Sequence, residues 1–159
     1  MAIIRPDPVS PIWGTVNNDN AASGIVGQVI TATVPVGLAV SLTTATTENI
    51  TSISLPAGDW DVRGQVNFVL SGVTSTLHQI GISLTSATLP SQAGGSGLGT
   101  DPLVIFPLIT TLLSNTLTLP AAHVRISLAN TTTVYLVARS TFALGSESAY
   151  GTIFARRAR

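Results

Sequence analysis

Apolar residues in this chain recur at every second position and almost nowhere at every third or fourth, which rules out a mainly helical fold. In the run GDWDVRGQVNF, Trp60, Val62, Gly64, Val66 and Phe68 share one side, and Asp59, Asp61, Arg63, Gln65 and Asn67 share the other. A strand turns successive side chains to opposite faces. This run therefore predicts an antiparallel strand with one face on a core and the other toward water. The preceding residues, ISLPAG, place a Pro-Ala-Gly corner between this strand and an earlier one.

Similar runs fill the chain. Strands are predicted over Val26–Val34, Leu38–Thr44, Asn49–Leu55, Asp59–Ser71 and Leu77–Ser86, and later in HVRISLA, TTVYLVARSTFAL and SAYGTIFARRAR. Each is rich in β-branched or aromatic residues. No window shows a 3.6-residue period with caps at both ends, and turn signals recur at the spacing of sandwiches and barrels. The expected fold is all-β, an antiparallel β-sandwich or jelly roll with an extended N-terminal arm.

The arm is predicted over residues 1–24. Pro6, Pro8 and Pro11 prevent regular helix or central-strand pairing there. Ile3, Ile4, Ile12 and Trp13 are more apolar than a disordered tail would carry, so they are expected to dock on a neighbouring protomer or a larger particle, the alternative being a strap packed on their own domain. Residues 25–159 form the single β domain, interrupted near 89–102 by the Gly-rich loop LPSQAGGSGLGTDP.

Charge is scarce: 9% of the 159 residues, against roughly 25% in typical domains. Ser, Thr, Asn and Gly stand in for it, and burial against partners would explain the rest. In TVYLVARSTF both alternating sets are substantially apolar. A two-layer sandwich leaves one face of such a strand wet, so a second subunit is the expected cover, with Tyr135 and Val137 at the contact. The C-terminal strand is apolar on both faces too, and it adds Phe154 to the interface candidates. The net charge of zero gives no general attraction to nucleic acid or membrane. Three of the seven arginines, Arg156, Arg157 and Arg159, crowd the C-terminus. They are expected to emerge together, either toward acidic groups of a neighbour or as a solvated strand end. No aromatic interleaving or wider basic patch favours nucleic acid.

Catalytic and cofactor patterns are weak. The glycines at 94, 95, 97 and 99 lack phosphate-loop spacing, and the chain has no Lys. His78 and His123 read as ordinary sheet or interface histidines, the alternative being a metal shared about a symmetry axis. Asp59 and Asp61 could serve glycoside hydrolysis, but Arg63 continues their face and favours a cross-strand ion pair or a solvated edge. The run NNDN at 17–20 lacks a full set of calcium ligands. Asn49 and Asn130 head glycosylation sequons of a kind common by chance in Thr-rich chains. Without Cys there is no disulfide or thiolate site. No cofactor, metal or catalysis is expected. The first residues do not form a basic region followed by an apolar run, so no secretion signal is predicted. The apolar window Leu103–Leu119 contains Pro107, Ser114 and Asn115, and it reads as buried protein, not a membrane span.

Four blocks in order, SGIVGQVITATV, TSISLPAGDWDVRGQVNF, RISLANTTTVYLVARSTF and SAYGTIFARRAR, resemble jelly-roll virion structural proteins of tailed bacteriophages, the capsid decoration or cement proteins. The resemblance covers roughly residues 23–159. The LPAGDWDV block also resembles the strand–turn–aromatic element of tumour necrosis factor-like trimers. The resemblance implies a non-enzymatic homotrimer that binds between capsomers, with the major capsid protein and other virion proteins as partners. It implies a location on the outer surface of the phage head after synthesis in the bacterial cytoplasm, with neither nucleic acid nor membrane bound. A tail or head fibre module recognising a host surface ligand is the alternative. A glycan depolymerase is a more distant one, given only seven acidic residues.

Overall fold

The computed structural model describes residues 20–90, 103–107, 112–113 and 115–159. Ile3, Ile4, Ile12 and Trp13 of the expected arm, and most of the Gly-rich loop, lie outside them.

Among the described residues there are eleven strands: β1 (Val29–Val34), β2 (Val40–Ser41), β3 (Thr47–Leu55), β4 (Gly58–Ser71), β5 (Val73–Ser83), β6 (Leu103–Pro107), β7 (Leu112–Leu113), β8 (Thr116–Pro120), β9 (Val124–Leu128), β10 (Thr132–Ala143) and β11 (Ser146–Arg157). A single 3-10 turn, Val36–Leu38, separates β1 from β2. No helix among the described residues is long and apolar enough to cross a membrane.

The strands make two antiparallel sheets. In the first, β11 lies between β4 and an edge shared end to end by β1 and β2, while β8 and β9 share the far edge of β4. In the second, β10 lies between β3 and β5, with β6 and β7 sharing the outer edge of β5. The chain crosses from one sheet to the other at β2–β3, β3–β4, β4–β5, β7–β8, β9–β10 and β10–β11. Two stacked sheets of four strand positions, connected this way, define a jelly roll.

The faces follow the alternation. Trp60, Val62, Val66 and Phe68 of β4 are fully buried, against Ile53 and Leu55 of β3, Val134 and Leu136 of β10, Ile80 and Ile82 of β5, and Ile153 of β11. The C-terminal run is a central strand, as expected from its two apolar faces. The window Leu103–Leu119 departs from expectation. It is cut into β6, β7 and β8, and Ile105 and Phe106 each keep 39% of their surface in solvent.

Two corners are set by backbone geometry. Gly145 has φ +59, and a Cβ there would collide with the carbonyl oxygens of Ser71 and Gly72, so the β10–β11 corner stacks on the β4–β5 corner only with glycine. Gly58 has φ +139, and a Cβ would run into the Arg157 guanidinium. The free edge of β1 is clasped by Asn20, whose amide donates to the Val29 carbonyl at 2.7 Å and accepts from the Val29 N–H at 2.9 Å. This occupies part of the open ladder that an edge strand otherwise presents.

Candidate functional site

The alternation that sends Trp60 inward sends Asp59, Asp61, Arg63 and Gln65 outward, and register gathers their partners beside them. Phe154 lies opposite Arg63, Arg156 opposite Asp61, and Thr152 opposite Gln65 on β11, while Arg125 of β9 lies opposite Asp61. Arg159 joins this face through Asp59 at 2.6 Å. Four guanidinium groups thus meet two carboxylates on one outer face, although the whole chain is neutral.

Asp59 is 4% exposed and is held by both Arg125 and Arg159. The hydrogen bond from Arg125 does most to keep its carboxyl below the ordinary aspartate range; burial opposes this, and the charges of Arg125 and Arg159 reinforce it. Asp61 faces His123 at 3.7 Å. Asp59 is therefore an ion-pair partner, as expected for this face, though its partners are Arg125 and Arg159 and not Arg63. Among the described residues neither Arg63 nor Arg156 has a carboxylate within salt-bridge distance. Arg63 instead lies over the Phe154 ring, 4.3 Å from its centroid. Stacking of this kind fixes the guanidinium plane and leaves its N–H edges open.

A groove forms beside this pair because the edge strand breaks. β8 ends at Pro120, which has no N–H to continue the ladder, and Ala121 bonds sideways to the Gly64 carbonyl at 2.8 Å before β9 begins. The resulting hollow, about 490 Å³, is lined by Arg63, Gln65, Pro120, Ala121, His123, Thr152 and Phe154. A smaller hollow of about 230 Å³ adjoins it, lined by Asp61, Arg63, His123, Phe154 and Arg156. His123, expected in a strand, sits in the break just before β9.

The remaining predicted residues separate. Arg157 does not emerge with Arg156 and Arg159. It is 7% exposed, with its guanidinium 4.4 Å from the Trp60 ring centroid; Nη1 donates to the Ala57 carbonyl at 3.0 Å and Nε to Gln28 Oε1 at 3.2 Å. Alternation explains this: β11 turns residue 157 inward and residue 156 outward, and the β3–β4 corner supplies the acceptors. Val137 has no exposed surface within the single chain. Asn49, cross-strand from Val137, ties Ser86 and Ala87 to that outer face at 2.7 Å each. Tyr135 and Phe154 are half-buried on the outer faces of opposite sheets.

A second polar cluster lies inside the sandwich. His78 of β5 and Glu147 of β11 are both buried, with Nε2 3.1 Å from Oε2, beside the Phe68 ring and the hydroxyls of Ser75 and Ser140. His78 is therefore a core histidine. Glu147 escaped the sequence reading, since one acid in SESAY gives no signal of burial. No group of three or more acidic or histidine side chains among the described residues could hold a metal.

The strand order and the outer-face groove define a jelly-roll domain with an open hollow on one outer face. No protein-family model matches the chain, and no curated protein matches it. Among solved structures it is similar to a crystal structure of the infectious bursal disease virus VP2 subviral particle, with 15% identity and a TM-score of 0.43 over 95% of this chain and 41% of that one. A structure of the Gt strain of the same virus matches with 16% identity and a TM-score of 0.20 over 98% of this chain and 45% of that one. The chain spans less than half the length of either. Its assignment as a jelly roll rests on its own strand order.

Proposed function

We propose that this chain is a non-enzymatic virion structural protein, a homotrimer that decorates the outer surface of a phage head and stabilises it. The observation that carries the reading is the exposure of large apolar side chains along the β1–β2 edge. Val36 and Leu38 keep 63% and 72% of their surface, and Ile25 and Val26 at the other end of β1 keep 58% and 51%. In a chain so poor in charge, apolar groups grouped along one edge suit a protein interface. The half-buried ring of Tyr135, on the outer face of the sheet opposite the groove, offers a further contact for a cyclic assembly, in which each protomer presents two different surfaces. The resemblance of the strand blocks to decoration proteins supports the same reading.

The mechanism is mechanical. A trimer seated between capsomers engages several capsid subunits at once, so weak contacts combine into firm attachment. Binding only the assembled shell then stabilises the shell by mass action. Ile3, Ile4, Ile12 and Trp13 would supply arm contacts to the capsid or a neighbour, and Arg156 the salt-sensitive part. Sedimentation at micromolar concentration is expected to give a species three times the 16.3 kDa chain mass. Electron microscopy of particles is expected to place it between capsomers. A stable monomer would refute the trimer, and absence from the head surface would refute decoration.

A further inference from the structure

We propose that the hollow beside Arg63 binds a carboxylate-bearing saccharide of the uronic acid type. This site does not depend on the virion role and would exist in a monomer.

Three features of the groove define the ligand. Arg63 is exposed, its plane is fixed by Phe154, and among the described residues no carboxylate pairs with it. A guanidinium held flat with free N–H edges is shaped for bidentate recognition of a carboxylate. Around it the lining alternates chemistry. Gln65 offers an amide from the sheet and Thr152 a hydroxyl whose other bond goes to the Thr33 hydroxyl at 3.0 Å, whereas Pro120 and Ala121 form an apolar flank. A sugar ring presents hydroxyls at its rim and C–H groups on its faces, which matches such a mixed wall. The size is also selective. A volume of about 490 Å³ falls within the range of small-molecule sites. Along β4 the lining runs only from Asp61 to Gln65, about 13 Å of strand, so a compact ligand fits better than an extended peptide.

Charge sets the orientation. Arg156 strengthens the positive field from the adjoining hollow, while Asp61 opposes it from the same place. The ligand carboxylate therefore belongs at Arg63, with its ring over Gln65 and Thr152, away from Asp61. Asp61 is then a brake on affinity, and its removal gives a signed test.

The full chain should be titrated at low salt with methyl glucuronide and, separately, with the neutral methyl glucoside, using ligand-observed and protein NMR. The glucuronide should bind about tenfold or more tightly than the glucoside. Arg63→Gln should remove that preference without lowering the melting temperature, Arg63→Lys should restore only part of it, and Asp61→Asn should tighten glucuronide binding. Equal affinity for both sugars, no binding of either, or a preference that survives Arg63→Gln would overturn the site. A short glutamate peptide that binds as tightly as the glucuronide, with the same dependence on Arg63, would overturn its assignment to a saccharide.

Discussion

His78 Nε2 lies 3.1 Å from Glu147 Oε2, with neither side chain exposed to solvent. The contact joins β5 of one sheet to β11 of the other through the interior, beside the buried hydroxyls of Ser75 and Ser140. Glu147 Oε1 and His78 Nδ1 are buried without hydrogen-bond partners, so the contact between the two side chains, helped at Glu147 by the Ser140 and Ser75 hydroxyls, is the main compensation for two desolvated polar groups. Removing one member strands the other. Glu147→Leu or His78→Leu should each destabilise the domain by about 3–5 kcal/mol, and the double substitution by less than the two singles together. Urea denaturation of the three variants measures this.

The same pair gives an acid dependence. Burial pushes the Glu147 carboxyl up, but the hydrogen bond with His78, the Ser140 hydroxyl, the charge of a protonated His78 and the Ser75 hydroxyl together bring it below its ordinary value. Asp59 is lowered as well, chiefly by its hydrogen bond from Arg125. A carboxyl depressed in the folded state stabilises the fold at pH above its unfolded value, about 4 for these residues, and that stabilisation is lost as pH falls through the folded value. The melting temperature should thus be flat above about pH 5 and fall below pH 4. Asp59→Asn should lower the plateau and shrink the fall; an unchanged acid profile would show that this carboxylate carries none of it.

Arg157 should behave as a core residue despite its charge. Its guanidinium covers Trp60 and donates to Ala57 and Gln28 across the β3–β4 corner. Arg157→Gln should cost about 2–4 kcal/mol, and Arg157→Lys should recover little, because an ammonium cannot stack and fork at once. Arg156→Gln, one residue away and exposed, should stay within about 0.5 kcal/mol of the parent by the same denaturation measurement.

At the β10–β11 corner, Leu144 has φ +61 and is 74% exposed, next to Gly145 at φ +59. Gly145→Ala should lose about 2 kcal/mol or more, since its methyl meets the Ser71 and Gly72 carbonyls. Leu144→Gly should be neutral or stabilising by up to about 1 kcal/mol, because it relieves a left-handed conformation without giving up buried area. Calorimetric melting separates the two opposite signs.

Val36→Asp together with Leu38→Asp should leave circular dichroism and melting of the dilute protein nearly unchanged, since both side chains are exposed. The pair should weaken self-association by about 2 kcal/mol or more if this edge is the contact. Equilibrium sedimentation of the variant against the parent decides it.

Alternation by itself determined that the chain is all-β and which way most side chains point, because side-chain direction in a strand is a local property of the backbone. Trp60, Val62, Val66 and Phe68 inward, and Arg63, Gln65 and Asn67 outward, were legible in one short run. The same rule made the C-terminal run a central strand with two useful faces. Only the tertiary structure decided what those directions meet. Sequence order carries no information on which strand lies alongside which, so the stacking of Arg63 on Phe154, separated by most of the chain, came from the β4–β11 register. The groove came from a break between β8 and β9 that alternation does not foresee. Charge misled for a related reason. Arg157 read as a surface group and Glu147 gave no signal, because burial of a charge is costly alone, and it is offset only by partners from strands distant in sequence. Burial of Val137 within the single chain is likewise a matter of what packs over β10, which alternation does not give.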